Sequence, residues 1–171
     1  MELVDLYTPQ DISAAVDSVG AAIAEDYREK NPLLVGVMNG SFVFLADLVR
    51  SMAIPCQIDF IRARSYGTSM ESSGAVEITK DIEHDVNGRH VIVIEDILDT
   101  GLTIEFVTDR IRVGNPASVT TCALLTRQGQ PQPDYWGIEV PEGFVVGYGI
   151  DFAEQYRWLS SIKTVRDEKH E

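Results

Sequence analysis

The chemistry-bearing residues of this chain are densest between His90 and Thr103, in the run HVIVIEDILDTGLT. An apolar stretch gives way at once to Glu95 and Asp96, then to Asp99, Thr100, Gly101 and Thr103. Carboxylates are hydrogen-bond acceptors that suit sugar hydroxyls. Threonine hydroxyls and the free amides at a helix start suit a phosphate. Gly101 lets the backbone approach a ligand closely. A helix start needs only one Asp or Thr as its cap, so three acids, two threonines and a glycine exceed what capping requires. The set reads as a site for a phosphorylated sugar.

Other candidates lie in similar settings. Met38-Asn39-Gly40-Ser41 follows the apolar run Leu33–Val37, and Ile150-Asp151 follows Phe144–Gly149. Between Arg64 and Gly74 the chain is small and polar, which suits a long loop of the kind that often serves function. Taken singly, Phe144 and Val145 read as core, Arg157 as a solvated surface residue and Asp151 as a turn or cap. Trp136 and Trp158 read as packing residues. His84, His90 and His170 form no metal pattern.

The elements that position these residues follow from periodicity. Thr8-Pro9-Gln10-Asp11 is a helix start, with a capping Thr, Pro in the first turn and an acid near the positive end of the dipole. Ile12, Val16, Val19 and Ile23 then form one apolar face, and Pro32 ends the segment. Strands are expected at 33–37, 57–62, 75–78, 90–94, 118–125 and 144–149. Phe42, Leu45, Val49 and Met52 mark one further helix. Ile104, Val107 and Ile111 mark another, which Gly114-Asn115-Pro116 stops. Residues 165–171 are charged and expected to fray. Strands alternating with helices indicate an α/β fold with a central parallel sheet flanked by helices. Ligands on such sheets bind beyond the carboxyl ends of the strands, where residues 38–41, 95–103 and 150–151 would gather.

With these segments in view, the run Val91–Thr103 closely resembles the phosphoribosyl pyrophosphate signature of the type I phosphoribosyltransferases, and within them the hypoxanthine-guanine branch. The resemblance continues in order over residues 33 to 162. Met38-Asn39-Gly40 resembles the family's pyrophosphate loop. Ser65-Tyr66-Gly67 with Ser72-Ser73-Gly74 resembles its lid, over about 64–76. Residues 144–152 with Tyr156-Arg157 resemble its base-binding strand and pyrophosphate contact. The resemblance implies one domain over 1–171, with a small hood made from N- and C-terminal segments. It implies that Glu95 and Asp96 hold the ribose hydroxyls and that Asp99, Thr100, Gly101, Leu102 and Thr103 hold the 5′-phosphate. Asp99 would also exchange a proton with N7 of the purine. Arg127, Phe144, Val145 and Asp151 would serve the base; Met38, Asn39, Gly40 and Arg157 would serve pyrophosphate. Mg2+ would be held near Glu95, Asp96 and Asp151, and the enzyme would be a homodimer or homotetramer.

Three positions depart from the family pattern: Asn39 and Arg127, where it commonly has Lys, and the stretch Arg157–Ser161. Arg and Lys are not interchangeable as donors, so the preference among hypoxanthine, guanine and xanthine stays open. A sensor that binds nucleotides without turnover is the rival class. A dinucleotide-binding protein is disfavoured because no G-x-G-x-x-G follows a strand.

Composition narrows the partners. Fourteen Lys and Arg against 27 Asp and Glu give a net charge of −13, which repels a nucleic-acid backbone. No apolar run approaches the roughly 20 residues of a membrane span. The acidic start Met1–Asp5 lacks an apolar signal core. Cys56 and Cys122 are far apart beside apolar residues and read as core thiols, which suits a reducing cytoplasm.

Overall fold

The structure, a computed structural model, describes residues 2–65 and 76–166. Its elements in chain order are β1 (Glu2–Tyr7), α1 (Pro9–Tyr27), β2 (Leu33–Val37), α2 (Phe42–Met52), β3 (Gln57–Ser65), β4 (Val76–Lys80), β5 (His90–Leu98), α3 (Leu102–Arg112), β6 (Ser118–Arg127), β7 (Tyr135–Val140), β8 (Val145–Val146) and β9 (Ile162–Arg166).

Six strands form one sheet in the order β4-β3-β2-β5-β6-β7. Every pairing from β3 to β7 is parallel, and β4 lies antiparallel on the β3 edge. The central strands read as continuous apolar runs because both faces are covered; all five residues of β2 are buried. Leu34, Ile92, Ile94, Cys122 and Leu124 pack with residues of α1 and α2. Leu33, Val35, Val37, Val91 and Val93 pack with Ile104, Val107 and Ile111 of α3. This is the expected α/β arrangement, a parallel sheet between helices.

Helix α1 starts as its sequence dictates. The Thr8 hydroxyl accepts from the Asp11 amide at 3.2 Å, and the Asp11 carboxylate accepts from the Thr8 amide at 2.9 Å. Ile12, Val16, Val19 and Ile23 are all buried. In α2 the buried residues are Phe44, Leu45, Leu48 and Met52, so Phe42 is turned outward, 45% exposed, against the expected face.

Three differences from the sequence reading bear on the site. First, β5 runs on to Leu98, so Glu95 and Asp96 are strand residues rather than loop residues. The ladder persists because β6 is long enough to pair Glu95 with Ala123 and Leu98 with Thr126. Second, the strand expected at 144–149 shrinks to Val145–Val146. Gly147, Tyr148 and Gly149 all take positive φ, which no strand accommodates. Third, β1 and β9, which carry no strong local signal, pair with each other, and β9 also pairs with β8. The result is a separate three-stranded antiparallel sheet, β1-β9-β8, built from the two ends of the described chain. Val165 and Arg166 are therefore strand residues, not frayed ones.

Candidate active site

The carboxyl ends of β2, β5 and β6 put their following residues side by side. After β2, the peptide between Met38 and Asn39 is cis, and Gly40 sits against the end of β5. A Cβ at Gly40 would lie 1.8 Å from an Asp96 carboxylate oxygen, so this approach requires glycine. A Cβ at Gly149 would lie 2.5 Å from the Gly40 carbonyl oxygen, and Gly149 has φ +97°. The 38–40 turn is thus wedged between β5 and the turn after β8.

Glu95 and Asp96 are adjacent and buried or nearly so. Burial, then the neighbouring charge of Asp96, holds the Glu95 carboxyl well above the usual carboxylate range. Burial raises Asp96 as well. Backbone hydrogen bonds from Ile97 and from its own amide, a contact with Glu95 and the charge of Arg157 pull the other way. Such a pair favours a cation or hydroxyl donors brought in by a ligand.

Asp99, Thr100 and Gly101 form the turn from β5 into α3. Gly101 caps α3 at φ +82° with no side-chain cap bond, which leaves the first amides of that helix as anion donors. Asp99 is exposed. Beyond it, the guanidinium of Arg127, at the end of β6, stands 3.9 Å from an Asp99 oxygen through Nε. Arg127 donates through Nη1 to the carbonyl of Pro141 and through Nη2 to that of Gly143, the latter at 2.6 Å.

Two cavities meet at Asp99. One, about 280 Å3, is lined by Val37, Met38, Gly40, residues 95–98 at the end of β5, the turn 99–101, Thr103 and Ile104 together with Ala63. The other, about 360 Å3, is lined by Asp99, Arg127, Gln128, Gln130, Glu142, Gly143 and Phe144. Phe144 is 67% exposed and meets Phe152 edge-on at 5.6 Å between ring centroids. Val145 beneath it is buried. One chamber is thus rimmed by acids, a helix start and glycine, and the other by an aromatic face and polar side chains.

A phosphoribosyl transferase domain model matches residues 5–153. The chain belongs to the phosphoribosyltransferase family. Hypoxanthine phosphoribosyltransferase of Haemophilus influenzae is 43% identical over 167 residues, covering 94% of this chain and 93% of that protein. Hypoxanthine-guanine phosphoribosyltransferase of Bacillus subtilis is 37% identical, covering 97% and 94%. Among solved structures, the Bacillus anthracis hypoxanthine-guanine enzyme with HEPES in its active site superposes with a TM-score of 0.89 at 37% identity, over 96% of this chain and 100% of that one. The Trypanosoma cruzi hypoxanthine enzyme in complex with the product IMP superposes with a TM-score of 0.87 at 37% identity, over 99% and 96%.

In this phosphoribosyltransferase, the remaining sequence-derived residues fall at varied distances from the two chambers. Arg157 is half-buried and fully engaged. It donates to the Gly149 carbonyl at 2.8 Å and pairs with Asp151 at 2.7 Å and Glu154 at 3.4 Å. Asp151 has its other oxygen on the Glu154 amide at 2.8 Å. Each of its carboxylate oxygens thus already carries one bond, and no group of three or more acids, histidines or cysteines stands ready for a metal among the described residues. Leu102 is 64% exposed and can contribute only its backbone. Ser65 ends β3 on the same edge of the sheet, while Tyr66 and the rest of the expected lid up to Ala75 lie outside the described residues. Gln128, Gln130, Glu142 and Gly143 line the second chamber without having been singled out from sequence. Their only signal was position in strand-following loops.

A larger concavity, about 730 Å3, lies elsewhere, between α1, α2 and residues 148–160. Of the residues assigned to the site from sequence, Arg157 lines it. Its exposed apolar residues are Phe42 and Trp158, the latter 83% exposed, which corrects the reading of Trp158 as a packing residue. Trp136, 44% exposed, is likewise only partly packed.

Proposed function

We propose that this chain is a purine-salvage enzyme that converts hypoxanthine or guanine and phosphoribosyl pyrophosphate into IMP or GMP and pyrophosphate. The observation that carries this reading is Asp99 as the shared wall of the two chambers. A phosphorylated ribose in the first and a planar base in the second would meet at that carboxylate.

Glu95 and Asp96 accept from the ribose hydroxyls. Thr100, Thr103 and the amides from Asp99 to Thr103 hold the 5′-phosphate. The 38–40 turn and Arg157 face the pyrophosphate. The base lies against Phe144, with the Val145 backbone at its edge and Arg127 and Asp151 nearby. The base nitrogen forms the bond to C1 of ribose as the bond from C1 to the pyrophosphate oxygen breaks. Asp99 takes the proton that the purine sheds from N7, within reach of a general base. Excluding water protects the cationic sugar during this exchange.

Mg2+ fits the donor set. Glu95 and Asp96 are hard oxygen donors, and this ion commonly uses one or two carboxylates with substrate phosphates completing its shell. When bound, it would neutralise the leaving pyrophosphate. Asp151 already binds Arg157 and the Glu154 amide, one on each oxygen, and would contribute through its remaining lone pairs or through water. The net charge of −13 then presents no obstacle to an anionic substrate.

The enzyme is read as a cytoplasmic homodimer or homotetramer. Two free thiols and the exposed pair Phe42 and Trp158 support that reading. Among the described residues no helix is long and apolar enough to cross a membrane.

The deciding experiment incubates the protein with Mg2+, phosphoribosyl pyrophosphate and each of hypoxanthine, guanine, xanthine and adenine while nucleotide is measured. Turnover with hypoxanthine or guanine is expected. Turnover with xanthine alone would reassign the base, and tight nucleotide binding without turnover would make the chain a sensor.

A further inference from the structure

Arg127 occupies the end of β6, the strand between β5 and β7. Thr126 lies opposite Leu98 of β5, and Arg127 lies opposite Val140 of β7. Its side chain therefore rises between the segments that follow both neighbouring strands. It is only 13% exposed, and its three nitrogens divide between the two sides. Nε faces Asp99, 3.9 Å away. Nη1 donates to the Pro141 carbonyl and Nη2 to the Gly143 carbonyl at 2.6 Å.

Those carbonyls belong to the loop whose next residue is Phe144. On its other side Phe144 is fastened to β9: its carbonyl accepts from the Val165 amide at 2.9 Å and the Thr164 hydroxyl at 3.1 Å. Gly143 has φ +114°, so the chain enters Phe144 through a conformation that side-chain contacts of its own cannot fix. Arg127 supplies the contact from the sheet side.

We propose that Arg127 is a positioning residue that ties Asp99 to the Phe144 platform across the end of β6, so that base binding and proton transfer depend on one guanidinium. The proposal rests on the purine phosphoribosyltransferase reading and adds to it a coupling between two of its parts. The geometry needs arginine. Its planar fork presents donors on three nitrogens in fixed directions, whereas lysine has one nitrogen on a flexible stem and cannot hold both sides at once. With both Nη atoms drawn to the loop carbonyls, the guanidinium acts on the base mainly through the surface it holds in place.

The test is initial-rate kinetics on wild type and Arg127→Lys with hypoxanthine and guanine, together with calorimetric titration of IMP. Misplacement of a positioned group by about 1 Å can cost about 100-fold, so Arg127→Lys is expected to raise the base KM and lower kcat by about tenfold each. IMP affinity should fall with the base KM, and the KM for phosphoribosyl pyrophosphate should stay within about twofold. A general structural role would instead weaken both substrates together and lower Tm. Should the Lys variant fold poorly, Arg127→Met, which lacks all the contacts, is read the same way and is expected to lose at least as much. Wild-type KM and kcat in either variant would overturn the tie. So would a rise in base KM with kcat unchanged, because that detaches Asp99, or a loss confined to phosphoribosyl pyrophosphate. If the wild-type chain neither turns over a purine nor binds IMP, function and tie fall together; an active wild type with an indifferent Arg127→Lys removes the tie alone.

Discussion

Asp99 and Phe144 are exposed residues whose surroundings explain their proposed roles. Asp99 stands between the chamber of acids and amides and the chamber of Phe144. Replacing it by Asn keeps shape and hydrogen bonding but removes the proton acceptor. Asp99→Asn should lower kcat by about 100- to 10,000-fold, the usual span for a general acid or base, while calorimetric IMP binding stays largely intact. Retention of full turnover would remove Asp99 from proton transfer. Phe144 leaves 67% of its surface exposed beside the second chamber, where its ring is open to a stacked ligand. Phe144→Ala should raise the base KM by about tenfold, of the order of a lost stacking contact, and leave the KM for phosphoribosyl pyrophosphate nearly unchanged. A larger effect on phosphoribosyl pyrophosphate would reverse the assignment of the two chambers. Asp99 was visible in the sequence because it sits within an ordered motif. Phe144 was visible only through resemblance, since by itself it reads as core.

At the scale of elements, the turn after β8 and the start of β3 each do something periodicity does not announce. Gly149 packs on the Gly40 carbonyl and carries the carbonyl that Arg157 holds at 2.8 Å. Gly149→Ala adds a methyl group 2.5 Å from that oxygen at a positive φ, so the 38–40 turn must shift. The expected result is a KM for phosphoribosyl pyrophosphate raised by about tenfold or more, with base KM less affected; unchanged kinetics would show that the turn tolerates the shift. Asp59, buried on β3, anchors the connection between β4 and β5. Burial alone would raise its pKa, but donors from the His84 amide and ring and from the Phe60 and Glu83 amides outweigh that and bring it down to about 2. A depressed carboxyl contributes stability above its unfolded value near 3.8 and loses it as pH falls toward 2. Urea unfolding should therefore show about 2 kcal/mol of this contribution disappearing between about pH 4 and pH 2. Asp59→Asn should lack that pH-dependent part, and an identical pH profile in the variant would assign the loss to other groups.

For the whole molecule, the groove rimmed by Phe42 and Trp158 presents apolar surface that a partner would cover. Trp158 exposes 83% of its area and Phe42 45%, so single-chain packing leaves both partly open. If a second copy covers them, Trp158→Glu should shift sedimentation toward a lighter species at micromolar protein. An unchanged mass would move the subunit contact to another face. Because Arg157 lines this groove and its charge acts on Asp96, dissociation should also lower activity.

Sequence by itself determined the parallel sheet, the capped first helix and the run from Glu95 to Thr103. These depend on local periodicity, turn chemistry and an ordered motif, all of which act over a few residues. Tertiary structure decided the rest. It carried β5 through Glu95 and Asp96, because the long neighbouring strand β6 continued the ladder. It joined β1 to β9 across nearly the whole chain, a pairing whose short strands have little preference alone. It replaced a strand at 147–149 by a turn, because residues 148 and 149 bond to Leu159 and Arg157 rather than to a neighbouring strand. It also turned Arg127 toward the carbonyls of Pro141 and Gly143. Each of these outcomes was set by contacts between residues distant in the chain, and a sequence read in order cannot weigh partners it has not yet brought together.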